Sequence, residues 1–293
     1  MVSEEELKMS TSIYRAPVCQ MKAFKNLFIE MSAKNCNMRC KHCYIDFPMT
    51  KNVKDFISVN CIKENLALVH NSGLECIYLT GAEPMTHPDF NTILRLCLKV
   101  ANVCIITNGS FINEKKARFL KNVEDENDYE IIITLSLAHF DELKNDEVRC
   151  RGAFRQTLSA IKALAKYGFS PIISVTNFYN EAPDLLRQKV MELCNKVEYD
   201  VEPSHVKINR YIDKNNEGEP EYDEWKSLDC EYGRILTVNG VYVCPFLAND
   251  HRGRCGSTLA DFSQKMVLET DFCENCTKNP EMFFGIDFQS FGP

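Results

Sequence analysis

Six short runs rich in Ile, Val and Leu, at 27–31, 76–80, 103–107, 131–137, 172–176 and 206–211, alternate with longer stretches of helical spacing. Near-continuous apolar runs of this length read as strands buried on both faces, the pattern of a parallel sheet. The clearest helix is expected over 153–167, where Phe154, Leu158, Ile161 and Leu164 share one face and Gly168 supplies a stop. Helices are also expected over 58–72, 88–99 and 183–196, with a shorter one over 113–121. Strands alternating with helices through right-handed crossovers predict an α/β fold, here a partial (β/α)6 TIM-like barrel. Chemistry in such a fold belongs at the carboxyl ends of the strands.

After the sixth strand, 213–224 holds six acidic residues, one lysine, a Gly and a Pro, and reads as a solvated linker. Beyond it, 235–238 and 241–244 flank Asn239-Gly240, which predicts a β-hairpin with a type I′ turn. The expected organisation is an N-terminal extension (1–23), the barrel (24–211), the linker (212–227) and a small C-terminal domain of hairpin plus loops (228–293). There Phe283, Phe284, Phe288 and Phe291 would cover apolar surface or close the barrel mouth. Hydrophobic residues make up 45% and charged residues 26%, which excludes a disordered, collagen-like or coiled-coil chain. No apolar stretch is long enough to span a bilayer, and the acidic start lacks a signal-peptide pattern. A soluble, cytoplasmic protein with no membrane attachment is expected. A net charge of −7 argues against strong binding to nucleic acid or anionic lipid.

Fifteen cysteines in a chain without an export signal point to metal or redox chemistry rather than disulfides. Cys36, Cys40 and Cys43 cluster early; Cys230, Cys244, Cys255, Cys273 and Cys276 cluster late. The scattered Cys19, Cys61, Cys76, Cys97, Cys104, Cys150 and Cys194 are expected to pack mostly as small hydrophobes. The early three follow the first strand and can reach one centre only from a loop. A single zinc would need a fourth ligand, and His42 is too close to Cys43 to be a comfortable one. A 4Fe–4S cube held by three thiolates keeps one iron open to a substrate or cofactor.

Cys36-x3-Cys40-x2-Cys43 after the first strand resembles the signature of the radical S-adenosylmethionine (SAM) superfamily, over about residues 24–211. Further positions match. Gly81-Ala82-Glu83-Pro84 after the second strand is similar to the family's Gly-Gly-Glu-Pro, with Ala82 for the second Gly. Thr107-Asn108-Gly109 follows the third strand, and Ser136-Leu137-Ala138-His139 the fourth. Ala138 and His139 replace an Asp and Gly common there, so no role is carried over from that Asp. The resemblance implies a SAM-binding 4Fe–4S cluster on Cys36, Cys40 and Cys43. It implies SAM contacts from Tyr44, Gly81, Ala82, Glu83, Asn108, Ser136 and Arg149. Arg149 would grip the SAM carboxylate, with Arg151 and Arg155 as competitors. The implied chemistry is reductive cleavage of SAM to methionine and a 5′-deoxyadenosyl radical that abstracts a hydrogen atom.

The late cysteines are similar to the auxiliary-cluster modules called SPASM and twitch. Five thiols are too few for the two extra clusters of a full SPASM module, so a twitch-like second 4Fe–4S cluster is expected on Cys230, Cys244, Cys273 and Cys276. Cys255 is the spare, and could displace one of them. A structural zinc ribbon would use the same four ligands. With four thiolates the auxiliary cluster has no open iron and would accept an electron from a substrate radical. His139 by position is a candidate base, or a structural histidine, and Cys150 or Cys104 a candidate hydrogen-atom donor.

The expected function is oxidation or modification of a peptide or protein side chain, with the auxiliary cluster as electron acceptor and flavodoxin or ferredoxin as donor. A small-molecule dehydrogenase, acting on a cyclitol or sugar alcohol, is the alternative. A zinc-stabilised binding protein without catalysis is the third.

Overall fold

A computed structural model describes residues 16–45, 56–211 and 228–278. The 212–227 linker and Phe283, Phe284, Phe288 and Phe291 lie outside these residues. The strands are β1 (Val18–Gln20), β2 (Asn26–Glu30), β3 (Cys76–Thr80), β4 (Asn102–Thr107), β5 (Ile131–Leu137), β6 (Ile172–Asn177), β7 (Val206–Arg210), β8 (Gly233–Thr237), β9 (Gly240–Tyr242), β10 (Arg254–Gly256) and β11 (Lys265–Val267). The helices are α1 (Val59–Val69), α2 (Phe90–Cys97), α3 (Glu114–Asp125), α4 (Glu142–Val148), α5 (Ala153–Lys166), α6 (Pro183–Lys196) and α7 (Asp271–Lys278). Among the described residues, no helix is long and apolar enough to cross a membrane.

Strands β2 to β7 pair in chain order, all parallel, with helices in the crossovers. This is an α/β fold with a mostly parallel central sheet, the partial barrel expected from the six apolar runs. Helix starts follow local chemistry. The Ser58 hydroxyl accepts from the Cys61 N–H at α1, and Asn113 and Asp141 do the same for α3 and α4. Gly168, at φ 83°, ends α5 as anticipated. Helix α4 escapes sequence reading because its seven residues, ELKNDEV, carry too few apolar positions to display a period.

The hairpin is present but differs in register and in attachment. Thr237 pairs with Gly240, so the two-residue loop is Val238-Asn239 rather than Asn239-Gly240. Gly240 alone of these has positive φ, so the type I′ turn is not formed. A Cβ at Gly240 would lie 2.6 Å from the Gly256 carbonyl oxygen, which is why glycine stands there. Strand β8 lies parallel to β2 and extends the central sheet, and β9 and β10 follow it to the edge.

Alternation along the strands divides the residues between two faces. Leu27, Ile29, Ile77, Leu79, Val103 and Ile105 pack with the helices in the main core. The opposite face carries a cross-sheet row in register, Tyr242, Ile235, Phe28, Tyr78, Cys104 and Ile132. Phe28 and Tyr78 stack with ring centres 4.5 Å apart. Two residues on, toward the carboxyl ends, the same face turns polar with Glu30, Thr80 and Thr134.

Candidate active site

The loop after β2 is fixed before any cofactor is considered. Ser32 Oγ accepts the Asn35 N–H at 3.0 Å, turning the chain out of the strand. The Asn35 carbonyl then accepts the Glu83 N–H at 3.0 Å and the Thr86 hydroxyl at 3.1 Å, which ties the loop to the end of β3. Lys41 N–H donates to the Val148 carbonyl at 2.7 Å, tying it to α4. Cys36, Cys40 and Cys43 are half-buried and form no disulfide. Cys36 Sγ receives the Met38 N–H at 3.3 Å and the Asn108 amide at 3.8 Å. Burial pushes its thiol up, while these two donors favour the thiolate.

Glu83 is buried, and burial pushes its carboxyl up. Three donors oppose that effect: Asn108 N–H at 2.8 Å, the Thr107 hydroxyl at 2.7 Å and Met85 N–H at 3.1 Å. The carboxylate therefore joins the ends of β3 and β4 and caps the short 3-10 turn Pro84–Thr86. With roughly four acceptor positions on a carboxylate, about one remains for an outside donor. Gly81 has φ 73°, and a Cβ there would lie 2.4 Å from Glu30 Cγ, so glycine is required. Ala82 is half-buried beside it.

Arg149 is buried and points inward. It donates to the Ser136 carbonyl, to Thr157 Oγ1 at 3.0 Å, to the Asn108 carbonyl at 3.2 Å and to Met38 Sδ at 3.7 Å. One guanidinium thus links β4, β5, α5 and the cysteine loop. Its Nε is buried with no protein partner, as is His42 Nδ1. His42 is pushed down to about 3 by burial and by the Arg149 charge, so its imidazole is neutral. Arg155, the competitor, pairs with Glu142 at the surface at 2.7 Å. Tyr44 is half-buried beside Thr80, and its ring meets Phe246 edge-on at 5.5 Å. Phe246 in turn stacks on Phe272 at 4.9 Å.

His139, a candidate base or structural histidine by position, is buried. Its Nδ1 accepts the Asp141 N–H at 2.8 Å and its Nε2 faces Glu181 at 3.1 Å. Both ring nitrogens are engaged in a buried network, with Phe140 and Tyr179 against the ring. Of the two readings of His139, candidate base or structural histidine, these contacts favour the structural one. Cys150 is half-buried within electrostatic reach of Cys40. Cys104 lies in the apolar cross-sheet row, 3.5 Å from Thr134 Oγ1.

The late cysteines come together around Leu228, Val243, Leu247, Met266 and Leu268. Cys230 sits in the short turn before β8, Cys244 after β9, and Cys273 and Cys276 on α7. Cys276 feels the charges of Cys244 and Cys273, and Cys230 those of Cys244 and Cys276. Burial pushes Cys244 up to about 12. Cys255 packs at the edge of the same cluster, with its thiol against Gly253 O at 3.6 Å and the Arg234 guanidinium. Cys19 is buried in the core, as expected from the sequence, and its Sγ lies 3.7 Å from Cys230 Sγ. Among the described residues, no three His, Cys, Asp or Glu side chains converge tightly enough to share one metal ion.

Residues 32–194 match the model of the Radical SAM superfamily. The chain belongs to that superfamily. This radical SAM chain is 28% identical over 165 residues to the antilisterial bacteriocin subtilosin biosynthesis protein AlbA of Bacillus subtilis, covering 55% of this chain and 36% of AlbA. It is 29% identical over 171 residues to the S-adenosylmethionine-dependent nucleotide dehydratase RSAD2 of Oncorhynchus mykiss, covering 55% of this chain and 46% of that protein. It therefore spans less than half the length of these curated relatives. In fold it is similar to Streptococcus suis SuiB bound to the precursor peptide SuiA, with a TM-score of 0.62, 14% identity, and 89% of this chain and 68% of SuiB covered.

The family implies a 4Fe–4S cluster and SAM, and the donor set of this radical SAM chain fits both. Three thiols on one loop, N–H donors aimed at Cys36, and the orphaned Arg149 Nε beside the loop suit an anionic, sulfur-rich group. Glu30, Asn249 and Phe246 went unread in the sequence, and Cys19 was read only as a packing residue. Each reaches its partner only through tertiary contact between the barrel and segments more than two hundred residues away, as with Asn249 Nδ2 donating to Glu30 at 2.9 Å.

Proposed function

We propose that this chain is a radical SAM oxidoreductase or maturase that oxidises or modifies a peptide side chain, using a second cluster as electron acceptor. The observation that carries the reading is the gathering of Cys230, Cys244, Cys273 and Cys276 in one cluster, joined to the first cysteine loop through Tyr44, Phe246 and Phe272. The peptide class draws on AlbA, named for bacteriocin biosynthesis, and on SuiB, captured with a precursor peptide.

When bound, the first cluster and SAM supply a one-electron reduction that yields a hydrogen-abstracting 5′-deoxyadenosyl radical. The chain's own residues do the rest by position. Cys36, Cys40 and Cys43 hold three corners, and Asn108 and Met38 N–H stabilise the Cys36 thiolate. Glu83 offers its remaining acceptor position to an ammonium, and the backbone at Gly81 and Ala82 can approach closely because neither carries a large side chain. Ser136 lies at the end of β5 on the polar face. Arg149 holds the carbonyls of Asn108 and Ser136 in place, and its inward aim makes it a positioning residue rather than a bidentate clamp. The aromatic line keeps water from the space between the two thiol groups.

The small-molecule alternative draws on the polar strand ends, where Asn209 donates to Ser174 at 2.7 Å, and on the nucleotide chemistry for which RSAD2 is named. Anaerobic reconstitution tests the main reading. About eight irons per chain and 5′-deoxyadenosine on reduction are expected. Deoxyadenosine yield should rise with members of a peptide library and not with polyols or nucleotides. About one zinc per chain and no SAM cleavage would establish the binding-protein reading instead.

A further inference from the structure

Cys19 is not explained by packing alone. Strand β1 has only three residues, and of these Val18 and Gln20 face outward while Cys19 faces in. Its position is pinned on both sides. Cys19 pairs with Met266 of β11, the Leu268 N–H donates to the Pro17 carbonyl at 2.8 Å, and Lys22 N–H donates to the Glu231 carbonyl at 2.7 Å. Lys22 Nζ also pairs with Glu231 at 3.0 Å. These contacts deliver the one inward side chain of β1 to Cys230, with the two sulfurs 3.7 Å apart.

That distance has a chemical meaning. Each iron of a 4Fe–4S cube is tetrahedral, bonded to three sulfides of the cluster and to one terminal thiolate, so two thiols in van der Waals contact can reach the same iron only in turn. Thiolates on different irons of a cube lie farther apart, because a whole cluster edge separates them. Cys19 and Cys230 are thus close enough for either one, but not both at once, to fill the single terminal position of the same iron, and Cys244, Cys273 and Cys276 pack in the same group. Cys255, the spare expected from the sequence, is turned to Arg234 instead.

We propose that Cys19 is a ligand of the auxiliary iron–sulfur centre, serving the same iron as Cys230, so that either thiol can hold that corner. The proposal rests on the reading of the late cysteines as an iron–sulfur centre. Exchange between the two thiols moves no electrons: one thiolate leaves the iron and takes a proton as the other gives one up and binds. The corner stays closed whichever sulfur is on the iron. A coordination vacancy opens only when both are gone.

The test uses the full chain with its first centre removed (Cys36→Ala, Cys40→Ala, Cys43→Ala), so that iron content reports the auxiliary centre alone. After anaerobic reconstitution this parent should carry about four irons. Adding Cys19→Ala or Cys230→Ala singly should leave that content in place, with a reduced-state electron paramagnetic resonance spectrum that does not respond to cyanide. The two together should either lose the cluster or give a spectrum that shifts with cyanide. Cys255→Ala should behave as the parent, and far-UV circular dichroism checks that each variant is folded. If Cys230→Ala alone opens or empties the site, and Cys19→Ala adds nothing to it, the shared corner is wrong. If the folded parent takes up no iron, the auxiliary-centre reading itself falls.

Discussion

The loop from Cys36 to Cys43 and the group around Cys230 both collect thiols, yet they are assembled on different scales. The first brings three cysteines together within eight residues, and backbone contacts from β3 and α4 fix its shape. The second draws on β1, the turn before β8, the end of β9 and α7, so its sulfurs meet only when the C-terminal segments have docked. A local site depends on the rigidity of its neighbours. A site built from distant segments depends on the completeness of folding, and it can carry thiols that no short motif announces.

The sharpest separation of the two is by single ligand removal. Cys36→Ala is expected to bring 5′-deoxyadenosine formation to background, since a cube left with two thiolates on one loop is not held. Cys273→Ala is expected to keep a measurable part of that cleavage while losing the oxidised product, read by chromatography of both in one reaction. Normal product from the second variant would remove the electron-acceptor role and leave the late cysteines structural.

Next in size is Arg149→Ala, which asks how far the first site depends on its scaffold. The substitution strips donors from the Ser136 and Asn108 carbonyls and from Thr157 in a buried place. A loss of about 3–5 kcal/mol in urea unfolding is expected. A variant as stable as the parent would mean that the loop is held by its own turns and that the contrast drawn here is too strong.

How much could be read beforehand follows the same division. All six barrel strands were legible because a buried parallel strand writes itself as a run of Ile, Val and Leu, and 131–137 and 183–196 were read to the residue. Cys36-x3-Cys40-x2-Cys43 was legible because its spacing is local. The turn Val238-Asn239 was misread by one residue, since Asn-Gly is a strong local signal and the close approach of Gly256 to Gly240 is not visible in sequence. His139 was left open between base and structural histidine because position at a strand end does not reveal that Asp141 N–H and Glu181 occupy its ring. Cys19 had no signal beyond packing: an isolated thiol becomes informative only when the fold supplies its neighbour.

Gly81→Ala probes the place where the two regions touch. The added methyl would meet Glu30 Cγ at 2.4 Å, in a backbone conformation that L residues rarely adopt. A cost of about 2–4 kcal/mol is expected from strain and displacement together. Thermal unfolding followed at the iron–sulfur absorbance and by far-UV dichroism should show one shifted transition. Two separate transitions would mean that the barrel and the late cysteines are coupled more weakly than the Glu30 and Asn249 contact implies.

The smallest expected effect lies in that contact itself. Glu30 is buried, and burial pushes its carboxyl above the ordinary value, with the Asn249 amide opposing the shift. A carboxyl raised in the folded state favours folding most below its unfolded value, and that advantage is lost as pH rises through the folded value. Glu30→Gln keeps an acceptor for Asn249 and removes the ionisation. The variant and parent should therefore melt together near about pH 4, and the variant should gain on the parent as pH rises toward about 8. The opposite slope would require a cation facing Glu30 that holds its carboxylate ionised, and the joint between the barrel and the C-terminal segments would then be an ion pair rather than a neutral hydrogen bond.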